Sequence, residues 1–361
     1  MTQFQVKRKS LAETRIVDGA GMPALADGEV RVKIERFSFT ANNTTYAVAG
    51  DTLGYWQFFP ATDNTADTWG IIPVWGFAEV VESQCSDVPV GDRLYGYFPT
   101  AGALTLKPVA VSPGQFIDGT AHRAKMNVIY NAYRRVEAEP GYDRRYDNVR
   151  ALLFPLHVTG FCLWDSLQDA DWHGAEQILI ISASSKTSIG LAFALKDDPK
   201  APKTIGLTSP RNKAFVEGLE LYGTAMTYDA VEAIDATLPT VIVDMAGNGP
   251  LLGALHKRLG AQMKKSISVG LTHWEQGPTH ADIIAERSTF FFAPDHIDMR
   301  MADWGPQGFF DKSGAFLQRS FQDSQRWMAI NELAGLSSLE TVYEGVLNGK
   351  RPAEEGIVIT L

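Results

Sequence analysis

Apolar and polar positions change rhythm near the middle of the chain. Before that point, short segments alternate. Residues 30–34 (VRVKI) set apolar side chains on one face and charged ones on the other, the pattern of a half-buried strand. Residues 76–82 read as another strand, and 90–97 as a turn followed by a third. Asp27 and Gly28 supply a turn ahead of the first. Short strands punctuated by Gly and Pro predict a small barrel or irregular sheet over residues 1 to about 110. Residues 112–150 differ. The stretch from His122 to Arg150 is dense in arginine and tyrosine and reads as an insertion with a short helix, either a lid or a surface excursion.

From about residue 151, strands alternate with helices. The apolar run 178–181 suits a strand buried on both faces of a parallel sheet. A helix is predicted over 188–196, a strand over 204–208, and a helix over 211–222, where Phe215, Val216, Leu219 and Tyr222 recur at helical spacing. Strand 240–244, helix 250–259 and strand 266–270 follow. This alternation predicts a doubly wound α/β domain over 151–300, with 1–150 and 301–361 forming the other domain. In the tail, 333–347 reads as helical. Residues 356–361 read as a strand without a parallel partner nearby in sequence, pairing back into the first domain.

Several segments carry a resemblance together. They are LADGEVRVKI at 25–34, PVWGFAEVVE at 73–82 with VGDRL at 90–94, LYGTAMTYD at 221–229, VDMAG at 243–247, and GK at 349–350 with GIVI at 356–359. In this order they resemble the medium-chain dehydrogenase/reductase superfamily, near its zinc-free quinone-oxidoreductase and enoyl-reductase branches. TANNTTY at 40–46 and SASSKT at 182–187 place the chain closest to an uncharacterised domain-of-unknown-function branch. The resemblance implies an α/β fold: a GroES-like, β-rich catalytic domain built from both chain ends, and a Rossmann cofactor domain inserted between them.

The family has a glycine-rich turn after the first Rossmann strand, where backbone approaches a pyrophosphate at a helix N-terminus. Here Ser182, Ser185 and Ser188 stand where the glycines are expected, with Ser184 and Thr187 between them and Gly190 nearby. Serine hydroxyls can bond phosphate oxygens, and Lys186 adds positive charge. The alternative is a turn that binds nothing, with Ser185 or Ser188 only capping the helix. A nucleotide-triphosphate loop would need glycine where Ile180 and Ser185 stand. After the second strand, Thr208, Ser209, Arg211 and Lys213 occur with no acid to hold ribose hydroxyls, which favours NADP(H) over NAD(H). Thr159 is a candidate for the nicotinamide carboxamide, whereas His157 reads as structural. Met245, Gly270 and Leu271 fall at carboxyl ends of strands, where open α/β sheets bind ligands.

Tyr46 stands four residues before Gly50, as a tyrosine does in the quinone-reductase pattern. The resemblance sets it facing the nicotinamide, where its hydroxyl could stabilise or protonate a developing enolate. Asn42 and Asn43 lie near the family's asparagine and are candidates to orient the substrate oxygen, or else turn residues. Tyr55, Trp56, Phe59 and Trp69 are candidates for an aromatic substrate pocket, or else core. Zinc-dependent relatives carry a cysteine near 39–43 and a His-Glu pair. This chain has no cysteine there, Trp75 and Gly76 at the pair, and seven histidines that do not cluster with Cys85 or Cys162. No metal is expected.

Composition sets the remaining bounds. With 361 residues the chain is long enough for two domains. A net charge of −9 argues against nucleic acid as a partner. Two cysteines argue against a disulfide framework, and no apolar run is long enough to span a membrane. These features point to a cytoplasmic enzyme with a small-molecule substrate, and relatives in the family often form homodimers. The expected activity is zinc-independent hydride transfer from NADPH to an activated C=C or a quinone of an apolar or aromatic substrate. The alternatives are ketone reduction and a non-catalytic NADPH-binding sensor. In a sensor, Trp56 or Trp69 would plug the space beside the nicotinamide.

Overall fold

The computed structural model describes residues 1–19, 21–269 and 282–361. Gly270 and Leu271 lie outside the described residues. The chain divides into two compact units, Met1–Leu152 with Met328–Leu361, and Leu153–Trp327.

Among the described residues of the second unit six strands form one parallel sheet, in the spatial order Thr224–Thr227, Lys203–Thr208, Gln177–Ile181, Thr240–Asp244, Met263–Ser268, Ser288–Phe290. By chain order this is 3-2-1-4-5-6, the doubly wound arrangement whose direction reverses beside the first strand. The apolar run at 178–181 follows from burial on both faces. Ile178 and Ile180 pack with Val241 and Val243 on one side, and Leu179 and Ile181 with Ile242 on the other. The predicted helix 211–222 is shorter than expected. A 3-10 turn at Pro210–Asn212 leads into Lys213–Gly218, and Glu220 just beyond is left-handed (φ 56°).

Two long helices escaped the sequence reading. Asp147–Asp169 carries Pro155 internally, and proline cannot donate to the carbonyl one turn back. The Ser38 hydroxyl donates to that carbonyl, Ala151 O, at 2.7 Å. Ala293–Ser324 is interrupted at Gly305 (φ 73°) and Pro306, which broke the helical pattern in the sequence. It buries Phe309 and Phe316 against Phe161, so residues 301–327 belong to the second unit, and the return to the first falls after Trp327 rather than at 301.

Among the described residues the large sheet of the first unit runs Ala329–Ala334, Glu355–Thr360, Val30–Phe39, Pro73–Ser83, Arg93–Pro99, Ala132–Arg135, Gln115–Asp118, Pro108–Val109. The tail departs from expectation. Residues 329–334 are a strand, and the helix is limited to Ser338–Leu347. The terminal strand pairs antiparallel with Val30–Phe39, as expected, and also parallel with its near neighbour Ala329–Ala334. Strands Val30–Phe39 and Pro73–Ser83 come so close that a Cβ on Gly76 would lie 2.2 Å from Arg36 O. The insertion is no surface excursion. Its strands join the sheet, and Arg123, Tyr130 and Tyr133 are buried. Arg123 pairs with Asp118 at 2.5 Å and stacks over Phe59.

Candidate functional site

In the second unit, the sheet reverses direction between Gln177–Ile181 and Thr240–Asp244, and the turn after Ile181 is the candidate cofactor turn. Ser182 adopts φ 65°, a left-handed conformation that glycine takes without cost and other residues rarely adopt. Tyr228 hydrogen-bonds this serine. The helix Lys186–Asp197 then starts from Ser185, whose hydroxyl caps it by accepting from Ser188 N. Ser188 is fully buried with its hydroxyl 2.9 Å from that of Ser185, so it belongs to the cap and not to a phosphate surface. Ser184 is tied to the end of the second strand, accepting from Asn212 Nδ2 at 2.9 Å with Thr208 Oγ1 at 3.4 Å. Lys186 and Thr187 open the helix, both half-buried.

Beyond the second strand, Ser209 Oγ is buried without a hydrogen-bond partner. Arg211 is exposed next to it, and Lys213 forms an ion pair with Glu217 at 2.6 Å. Asp244 ends the fourth strand. Burial pushes its carboxyl pKa up, against the pull of the N–H groups of Ala246 (2.8 Å) and Gly247 (3.2 Å). Met245 follows it, half-buried. Thr159 donates to Pro155 O at 2.9 Å, which leaves its oxygen able to accept from an amide N–H.

His157 is buried, its Nδ1 3.1 Å from Ser320 Oγ and its ring against Gly190, where a Cβ would lie 2.9 Å from it. Burial, and then the charge of Lys186, lower its pKa from 6.5 to about 3. The folded state therefore binds fewer protons than the unfolded one between these values. The stability this neutral ring contributes is complete above pH 6.5 and is lost as pH falls towards 3. Denaturant melts of the wild type should lose up to about 1.4 kcal/mol per pH unit in this window relative to His157→Gln. Parallel pH profiles for the two proteins would contradict this.

In the first unit, period-two geometry builds an aromatic face. Trp75 lies directly opposite Tyr97, and Phe77 opposite Tyr95, on adjacent antiparallel strands. The alternate residues Val74, Ala78, Leu94 and Phe98 face the aliphatic core instead. Onto the aromatic face pack Tyr46 from helix Ala41–Val48, Tyr55 from the turn Tyr55–Gln57, and Tyr130 from the insertion. The Tyr55 and Tyr130 hydroxyls are 3.0 Å apart. Trp75 Nε1 donates to the Tyr46 hydroxyl at 3.2 Å, and the Asn42 side chain, one turn earlier on the helix, also bonds it. Burial raises the Tyr46 pKa, while the hydrogen bonds from Trp75, Asn42 and Tyr97 oppose the rise.

The other first-unit candidates are placed differently. Asn43 is structural, its Oδ1 accepting from Thr40 N (2.7 Å) and its Nδ2 donating to Pro73 O (2.9 Å). Trp56 fills core space that only glycine leaves open, since a Cβ on Gly50 or Gly70 would lie 2.1 or 2.4 Å from its ring. Trp69 carries the Arg15 guanidinium 4.2 Å over its ring. Phe59 packs against Tyr97 and beneath Arg123, at the rim of the cluster. Of the four proposed pocket residues, Tyr55 has its ring 4.6 Å from that of Tyr46. Trp75, Tyr95, Tyr97 and Tyr130 were missed as site residues. The signal for the first three lay in the alternation of WGF at 75–77 and YGY at 95–97.

The family described as "Protein of unknown function (DUF2855)" matches residues 37–352. The chain belongs to this family. No curated protein matches it. Solved structures with a similar fold include CurA from Vibrio vulnificus in complex with NADPH, at 13% identity and TM-score 0.64, covering 100% of this chain and 99% of that one. The quinone oxidoreductase from Coxiella burnetii is 15% identical, with TM-score 0.59 and the same coverage. Haloferax mediterranei glucose dehydrogenase in complex with NADP, Zn and gluconolactone is 13% identical, with TM-score 0.54, also over 100% and 99%. This DUF2855 chain thus has the medium-chain dehydrogenase/reductase fold, a GroES-like β-rich unit with a doubly wound Rossmann unit. Among the described residues no helix is long and apolar enough to cross a membrane.

Proposed function

We propose that the protein is an NADP(H)-dependent oxidoreductase that reduces an activated C=C or a quinone on an apolar or aromatic substrate, without a metal. The observation that carries this reading is the left-handed Ser182 ahead of a Ser185-capped helix, at the reversal point of a 3-2-1-4-5-6 sheet. A helix N-terminus at that point suits a pyrophosphate. The donor set beyond the second strand fits a 2′-phosphate. It offers the buried, unpartnered hydroxyl of Ser209 and the exposed guanidinium of Arg211, with no acid among residues 208–213 to repel it. Ser182, Ser184, Ser185, Lys186 and Thr187 would hold the pyrophosphate, Thr208, Ser209 and Arg211 the adenosine end, and Thr159 and Met245 the nicotinamide end.

Bound NADPH supplies the hydride. Tyr46 supplies the proton to the substrate oxygen or carbanion, and its phenolate is held by Trp75 and Asn42 until water restores the proton. Support for metal independence is the donor chemistry. Trp75 stands at the family's His-Glu pair, and among the described residues no three His, Cys, Asp or Glu side chains converge. The reading also takes the protein as a cytoplasmic homodimer, for which light scattering gives the mass. The test of function is NADPH oxidation across a panel of enones, enoyl esters and quinones. Oxidation of NADPH and not NADH, with no loss after chelation, is expected. NADPH that binds but is oxidised by no acceptor would favour the sensor.

A further inference from the structure

The Tyr46 hydroxyl is held in an unusual way. An indole N–H can donate but never accept, so the bond from Trp75 Nε1 at 3.2 Å fixes its own direction. The Tyr46 oxygen must accept, and its proton must point elsewhere. The Asn42 side chain bonds the same oxygen from one helical turn away. The indole itself has little freedom. It stacks on Tyr95 (5.8 Å), lies 5.0 Å from Tyr97 and 6.1 Å from Tyr130, and is 6% exposed. Its strand is locked by the close approach at Gly76, where no Cβ fits.

We propose that Trp75 is a positioning residue for proton transfer: its indole N–H turns the Tyr46 proton away from the indole and stabilises the phenolate left when that proton is given up. The proposal rests on the reductase reading above. Bound NADPH would supply the hydride and become NADP+, which leaves the proton to this chain's own side chains. The Tyr46 O–H bond breaks, its proton goes to the acceptor's developing oxyanion or carbanion, and the phenolate then takes a proton from water. The sum is addition of two hydrogens across the acceptor. A hydrogen bond from Trp75 to Tyr46 strengthens as the tyrosine oxygen gains charge, so its gain lies in the transition state and not in substrate binding.

This makes Trp75→Phe informative, because it keeps an aromatic ring and removes the N–H. We expect kcat to fall about 10- to 100-fold with KM nearly unchanged, the size of one hydrogen bond to a charged partner. In a Tyr46→Phe background the same substitution should cost nothing further, since Trp75 acts only through that hydroxyl. A role in packing alone would add its loss in both backgrounds. Proton NMR of Tyr46→Phe, which leaves Trp75 in place, provides a second measurement independent of turnover. The indole N–H resonance assigned by its loss in Trp75→Phe should shift and exchange faster. An unshifted resonance, or an active wild type whose kcat is indifferent to Trp75→Phe, would overturn the proposal while leaving the reductase reading intact. A wild type that oxidises NADPH with no acceptor would overturn that reading and the proposal with it.

Discussion

Tyr46→Phe is expected to lower kcat for an activated C=C acceptor by about 10²- to 10⁴-fold, the usual contribution of a positioned general acid. Binding of NADPH should persist, because the candidate nucleotide residues lie in the other unit. The substitution removes one oxygen and leaves the ring contacts to Tyr55 and Tyr97 in place. It also leaves Trp75 Nε1 and the Asn42 side chain without that acceptor, at about 1–3 kcal/mol in stability. The variant should therefore fold, melt a few degrees lower and turn over slowly. Steady-state rates with one enone and one quinone check this. An unchanged kcat with both would remove Tyr46 from the chemistry.

Arg211→Ala should weaken NADPH binding about 10- to 150-fold and leave NADH binding nearly unchanged, because a guanidinium forked on a phosphate is worth about 1.5–3 kcal/mol. Lys213→Ala serves as the contrast. Sequence alone ranked the two side chains together, but Lys213 is held by Glu217 at 2.6 Å. Its removal should change the NADPH dissociation constant no more than a distant surface charge would. Titrations of both nucleotides into the three proteins separate these outcomes. Equal losses for NADPH and NADH in Arg211→Ala would mean that this arginine does not read the 2′-phosphate.

Four strands of the second unit were legible because each announces itself, whereas the short edge strands Thr224–Thr227 and Ser288–Phe290 carry no apolar run and were not read. The apolar run 178–181 can be explained only by burial on two faces, and the strands that follow repeat the rhythm. The two long helices were not legible for opposite reasons. Pro155 and Pro306 break the local pattern, yet tertiary contacts carry the chain through both. The terminal strand was read correctly as joining the first unit. Its parallel neighbour 329–334 was hidden, because AINELA alternates too weakly to set it apart from the helix that follows.

The candidate site shows the same division. Serine at position 182 disguised a turn whose backbone still takes the glycine conformation. That information lies in φ, which side-chain identity only suggests. Asn43 and Ser188 looked like functional polar groups because sequence cannot tell a helix cap from a ligand-binding hydroxyl. The aromatic face was the larger omission. Trp75 and Tyr97 are 22 positions apart in sequence, and only the strand register makes them partners. Tyr130 reaches the cluster through an insertion that resembled surface chain.

The central claim is that the serine turn and the Ser209–Arg211 corner hold NADP(H). Calorimetric titration of the full chain with NADPH and, separately, NADH tests it most directly. One NADPH should bind per chain, at an affinity at least about tenfold above that for NADH, a gap of about 1.4 kcal/mol. Absence of binding by either nucleotide would contradict it.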